Sequence, residues 1–170
     1  QCLYSRSVPE DQAAIVVISR DASGTTSRAA LLERAGRLAA GLGEAGLERG
    51  DRIVILAPNS ANWVAVALGV VNAGGTVVPV DTQMPREALQ HALSDSEPRV
   101  VFTTARLEER LPDDLGDVRV YLLDAERDDP RAWAGLLKEE PAPPVAEPDD
   151  IAAIFYTSGT TGPPKGVPLT

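Results

Sequence analysis

The spacing of apolar positions changes along this chain, and each change marks an element. Residues 13–19 form a short run rich in β-branched side chains, closed by a turn at 21–24, and read as a strand. Over 28–45 the spacing becomes helical. Leu31, Leu32, Ala35, Leu38, Ala39 and Leu42 recur on one face, while Arg28, Glu33, Arg34, Arg37 and Glu44 fall mainly elsewhere. Gly46 suits the stop, because glycine takes a left-handed backbone without steric cost. Residues 52–57 are almost continuously apolar, the pattern of a strand buried on both faces. Asn59 or Ser60 can cap a helix that runs to Ala73, before Gly74 and Gly75.

The alternation continues. A strand is predicted over 76–80, with Pro79 pointing to a sheet edge or a strand end. A helix over 86–93 follows, then a strand at 99–103, a short helix near 105–110 and a strand at 118–123. Strands alternating with helices predict an α/β fold with a mainly parallel sheet flanked by helices in three layers. From Pro112 onward acidic and proline residues accumulate. Pro141, Pro143, Pro144 and Pro148 make 141–150 a stiff, solvated linker, and 151–156 is one last strand.

Composition narrows the function classes. A chain of 170 residues with 44% hydrophobic and 24% charged positions can bury a core of its own. Sixteen basic against twenty-five acidic residues give a net charge of −9, the wrong sign for a nucleic-acid binder or a polybasic membrane-surface protein. One cysteine, Cys2, excludes a disulfide framework and points to the reducing cytoplasm. Cys2 itself is read as incidental. The chain opens on Gln1, has Met84 as its one methionine, and shows no signal peptide or membrane-length apolar run. It is expected to be part of a longer polypeptide.

The chemistry concentrates at the far end. Thr157-Ser-Gly-Thr-Thr-Gly-Pro-Pro-Lys-Gly166 sets hydroxyls and glycines in a row, then a lysine between proline and glycine. Glycines let backbone N–H groups approach an anion, hydroxyls add donors, and lysine adds a full charge. In α/β proteins the carboxyl end of a parallel strand is where ligands bind. Fourteen arginines accompany only two lysines, Lys138 and Lys165, so a lysine here suits a compact point charge on phosphate. On the residues alone two readings stand, a phosphate cradle and a flexible Gly/Thr turn. The Walker loop does not fit. Counting from Gly159, Pro164 replaces its second glycine and Gly166 its magnesium-binding hydroxyl, which argues against a kinase or NTPase. Three prolines, Pro163, Pro164 and Pro168, also discourage a helix after the loop. A second Gly-rich pattern, Gly41-Leu-Gly43-Glu-Ala-Gly46, sits in the last turn of a predicted helix. Carbonyls rather than amides are unsatisfied there, so it is no dinucleotide fingerprint.

These blocks carry a resemblance. Tyr156-Thr-Ser-Gly-Thr-Thr-Gly-Pro-Pro-Lys-Gly166 resembles the signature phosphate loop of the adenylate-forming (AMP-binding) superfamily, which comprises acyl-CoA synthetases, luciferases and peptide-synthetase adenylation domains. Asn72-Ala-Gly-Gly-Thr-Val-Val-Pro-Val-Asp81 resembles another block of that family, and Gly50-Asp-Arg-Ile-Val-Ile55 with Asn59-Ser60 the segment before it. Thr26-Ser-Arg-Ala-Ala-Leu31 is similar to its Thr-Tyr-x-Glu-Leu opening but lacks the tyrosine and glutamate. The likeness spans residues 26–170.

The resemblance implies an N-terminal subdomain over 1–140, the linker at 141–150, and a strand plus phosphate loop over 151–170 that begins the next subdomain. It implies an enzyme that activates a carboxylic acid with ATP to an acyl-adenylate and passes the acyl group to coenzyme A. Gly166-Val-Pro-Leu-Thr170 reads most like acyl-CoA synthetases, long-chain fatty acid ligases above all. The alternatives are a peptide-synthetase adenylation domain and a non-catalytic α/β interaction module. Thr157, Ser158, Gly159, Thr160, Thr161, Gly162, Lys165 and Gly166 would hold the β- and γ-phosphates, with Mg²⁺ accompanying the nucleotide and no metal ligand visible here. The catalytic lysine and the adenine and acyl pockets are expected downstream, so the 170 residues are expected to be inactive alone. Membrane contact of the full enzyme would be peripheral and is not encoded in these residues. Tyr156 is read as ending the strand, Asp81 and Gly74-Gly75 as turn-formers, His91 as a solvated side chain, and Trp63 and Trp133 as packing residues. The loop, glycine-rich and terminal, is expected to be mobile.

Overall fold

The computed structural model describes residues 13–18, 23–157 and 164–170. Strands β1 (Ala13–Ile18) and β2 (Ser23–Ser27) pair antiparallel as a separate two-stranded sheet. Helix α1 (Arg28–Glu44) starts at Ser27, whose hydroxyl accepts from the Ala30 N–H and fills one vacant donor of the first turn. Gly46, at φ 82°, turns the chain out of α1. The rest alternates as β3 (Arg52–Leu56), α2 (Ala61–Asn72), β4 (Thr76–Pro79), α3 (Arg86–Ser96), β5 (Val100–Thr103), α4 (Ala105–Glu108) and β6 (Arg119–Leu122). A 3₁₀ turn, Trp133–Leu136, precedes β7 (Ala153–Thr157) and β8 (Lys165–Leu169).

The six-stranded sheet has the order β6-β5-β3-β4-β7-β8 and is parallel except for β8, which runs back along β7. The chain moves from β3 to β4 through α2, then returns across β3 to β5 through α3. Right-handed crossovers in opposite directions place the two helices on opposite faces. Strand alternation then builds two cores. Ile53, Ile55, Val77, Val100 and Phe102 pack with α1 and α2 on one face. Val54, Leu56, Val78 and Val101 pack with Leu89 and Leu93 of α3 on the other. The predicted three-layer α/β architecture is the one observed. Among the described residues no helix is long and apolar enough to cross a membrane.

Local details differ from the pattern. Pro79 ends β4, a central strand, so the strand-end expectation is met and the edge expectation is not. The stretch 141–150 is largely exposed and is tied to the body by backbone bonds: Ala142 N–H donates to Gly36 O and Val145 N–H to Asn72 O. Arg49 pairs with Glu147 and Asp150 at its far end. Strand β7 then enters the same sheet beside β4, with Thr76 Oγ1 donating to Ile151 O at 2.8 Å. Strand β8, absent from the predicted elements, completes an antiparallel hairpin in keeping with the three prolines that disfavour a helix there.

Candidate active site at the carboxyl ends of the strands

The carboxyl ends of β3, β4, β5 and β7 open on one edge of the sheet. The connections after β3 and β5 leave in opposite directions, and a reversal of this kind leaves a crevice in which α/β proteins bind ligands. Two clefts occupy this edge. One, of about 460 Å³, is lined by Pro58, Asn59, Trp63, Asp81, Phe155 and Tyr156. The other, of about 350 Å³, is lined by Pro58, Thr82, Gln83, Thr104, Arg106 and Arg110. Arg110 donates to the Thr82 and Met84 carbonyls, which fixes its guanidinium, while Arg106 is exposed at the rim.

The hairpin β7–β8 stands beside the larger cleft. Its register pairs Thr157 with Lys165 and Tyr156 with Gly166, so the hydroxyl-bearing and lysine-bearing residues face each other across its open end. Both are exposed. Of the eight predicted phosphate-binding residues, Thr157, Lys165 and Gly166 are therefore brought together. Ser158, Gly159, Thr160, Thr161 and Gly162, with the expectation that the loop is mobile, lie outside the described residues. Gly166 has a packing reason of its own. A Cβ there would lie 2.9 Å from Ile154 Cγ2 and 3.4 Å from Tyr156 Cζ.

Two readings of single residues change. Tyr156 does more than end a strand: its hydroxyl donates to Asp95 Oδ2 at 2.6 Å. Burial and that carboxylate together push the phenol above its usual range, because both disfavour a phenolate. His91 is not a free solvated side chain. It is half-buried, and its Nε2 lies 3.0 Å from Pro164 O. A carbonyl only accepts, so Nε2 carries the proton. Asp81 does form a turn, accepting from Gln83 N–H through Oδ1, and Gly74 takes φ 78°. Trp133 is buried, while Trp63 packs on the core and also lines the cleft. Asp95 was invisible to sequence reasoning; its one signal is its place four residues after His91, on the same helix face.

The AMP-binding enzyme family profile matches residues 5–170. The chain is 38% identical over 139 residues to tyrocidine synthase 2 of Brevibacillus parabrevis, which covers 82% of this chain and 4% of that protein. A nonribosomal peptide synthetase structure, FmoA3 with AMPPNP bound, superposes with a TM-score of 0.73 at 27% identity, over 94% of this chain and 15% of its own. The acyl-CoA synthetase of Brucella canis superposes with a TM-score of 0.79 at 24% identity, over 96% and 31%. The chain thus spans only a small part of the proteins it resembles.

Proposed function

The chain belongs to the AMP-binding enzyme family, and from that premise we propose that it holds the triphosphate-binding part of an ATP-dependent, carboxylate-activating ligase. One observation carries the reading. An antiparallel hairpin at the carboxyl edge of a parallel sheet sets Thr157 and Lys165 opposite each other, at the two ends of a stretch of hydroxyl residues and glycines. In the reaction a carboxylate oxygen bonds to the α-phosphorus of ATP, the bond to the β-phosphate bridging oxygen breaks, and pyrophosphate leaves with the added charge. The Lys165 ammonium, the Thr157 hydroxyl and the donors of 158–162 would stabilise that charge. Mg²⁺ would accompany the nucleotide; among the described residues there is no group of three or more His, Cys, Asp or Glu placed to hold a metal ion. The division into 1–140, a linker at 141–150 and a phosphate-loop segment at 151–170 belongs to the same proposal.

For the acyl substrate we favour an amino acid over a fatty acid. The support is the 38% identity to tyrocidine synthase 2. A second reading, transfer of a fatty acyl group to coenzyme A, is favoured by the cleft at Arg106 and Arg110. Two guanidiniums beside Thr82 and Thr104 suit the phosphates of such a co-substrate. ATP–pyrophosphate exchange by the gene product that carries this chain, run on panels of amino acids and fatty acids, decides between them. Exchange on amino acids supports the first reading, exchange on fatty acids alone overturns it, and exchange on neither overturns both. In either case Lys165→Ala should lower kcat/KM for ATP by about 10- to 100-fold, as loss of a charge-assisted contact implies.

A further inference from the structure

The two strands that bracket residues 158–163 are tied to the same helix. His91 and Asp95 stand four residues apart in α3, on one face and one turn apart. His91 donates from Nε2 to Pro164 O at 3.0 Å. One turn further on, Asp95 accepts from the Tyr156 hydroxyl at 2.6 Å. Tyr156 directly precedes Thr157 in β7, and Pro164 directly precedes Lys165 in β8. Each anchored residue thus adjoins one of the two charged or hydroxyl-bearing residues that face each other across the hairpin.

The Tyr156 ring lies against Gly166 of β8: a Cβ there would stand 3.4 Å from Cζ and 3.5 Å from the hydroxyl, in ordinary contact, while 2.9 Å from Ile154 Cγ2 is too close for a side chain. The hairpin has need of such anchoring. Strand β8 is exposed along its whole length and pairs, among the described residues, with β7 alone. An edge strand bonded on one side has little else to fix its tilt. Ile154 and Tyr156 also pack against the core cluster that holds Leu89 and Leu93 of α3, but His91 and Asp95 are not among the residues α3 buries.

We propose that α3 is the platform of the phosphate loop, with His91 and Asp95 as positioning residues that set the spacing of Thr157 and Lys165 and thereby the hold on the polyphosphate of ATP. This rests on the phosphate-loop reading above. The two side chains touch no substrate; they act through Pro164 and Tyr156.

The test uses the gene product that carries this chain, with exchange kinetics and amide hydrogen exchange for variants of His91, Asp95, Tyr156 and Lys165. His91→Ala and Asp95→Ala should raise KM for ATP about three- to tenfold, the value of one lost hydrogen bond, leave KM for the carboxylic acid unchanged, and quicken amide exchange at Lys165, Gly166, Val167 and Leu169. His91→Gln, whose amide N–H can donate to the same carbonyl, and Asp95→Asn, whose amide oxygen can accept, should restore most of the affinity. Tyr156→Phe removes the same bond as Asp95→Ala without opening a void and stands in for it if that variant does not fold. An unchanged KM for ATP, or an equal rise in both KM values, overturns the proposal. Lys165→Ala, measured alongside, separates the two ideas: if it raises KM for ATP while the α3 variants do not, the platform alone falls. If Lys165→Ala has no effect either, the phosphate-loop reading falls with it.

Discussion

Gly41 and Gly43 lie two residues apart in α1, and alanine should have opposite effects at the two positions. Helix propensity alone favours alanine at both by about 0.5–1 kcal/mol, since it lowers the backbone entropy lost on folding. At Gly43 nothing lies within 4 Å of the added carbon, so the gain should appear undiminished. At Gly41 the new Cβ would sit 1.8 Å from Leu136 O and 2.8 Å from Leu136 C. Real Cβ contacts stop near 3.0 Å, so the carbonyl must retreat by at least 1.2 Å. It is backbone, and it is held on both sides. Trp133 is 5% exposed in the core, Lys138 N–H donates to Arg37 O, and Arg37 Nε donates back to Lys138 O. Overpacking of this kind costs about 1–3 kcal/mol or more, against a propensity gain of about 1 kcal/mol. The expected balance is a loss of about 1–2 kcal/mol for Gly41→Ala. In urea, with a slope of about 2 kcal/mol/M, its midpoint should fall by about 0.5–1 M while that of Gly43→Ala rises by about 0.25–0.5 M. A rise at both positions would refute the seating of the 3₁₀ turn against α1.

Other expectations follow from single contacts. Ser60→Ala removes the hydroxyl that accepts from Trp63 N–H at 3.1 Å at the start of α2 and should cost about 1 kcal/mol in the same unfolding measurement. Phe102→Ala, at a side chain with 0% exposure stacked 5.7 Å from the Tyr121 ring, should cost about 3–5 kcal/mol. Arg49 hydrogen-bonds Glu147 and lowers its pKa, while Asp150 is lowered chiefly by the Glu147 N–H and then by Arg49. Folded carboxyls held low bind fewer protons than unfolded ones. Their stabilisation is present above the ordinary carboxylate range and fades as pH falls below about 4. Arg49→Ala should therefore reduce the drop in thermal midpoint between neutral and acidic pH, and added salt should shrink the wild-type effect.

Much of the fold was legible because its signals are local. The period of 3.6 in α1, the continuous apolar run of β3 and the cap at Ser60 depend on neighbours within one or two turns, and each element formed where its pattern lay. The decoy Gly41-x-Gly43-x-x-Gly46 was excluded for the same reason, since a helix end presents carbonyls. Strand β8 was missed because Lys-Gly-Val-Pro-Leu has a proline and no alternation. Its identity comes from pairing with β7, not from its own residues. The linker is as exposed as its prolines and charges suggest, but its backbone bonds to Gly36 and Asn72 are something side-chain composition is silent about.

At the site, local chemistry left Thr157 to Gly166 open between an anion cradle and a flexible Gly/Thr turn, and the phosphate reading came from the resemblance. Their arrangement was another matter. That Thr157 faces Lys165, and that Arg106 and Arg110 reach the neighbouring cleft, follows from strand register and crossovers. His91 reads as solvated until α3 is laid beneath a strand 73 residues further on, and Asp95 meets Tyr156 across 61 residues. The missing side chain of Gly166 likewise gains its meaning only once β7 pairs with β8 and sets Ile154 against it. A sequence pattern records what each residue can do within its own turn or strand. Which distant partner it meets is decided when the crossovers close, since only then are the two brought within hydrogen-bonding distance.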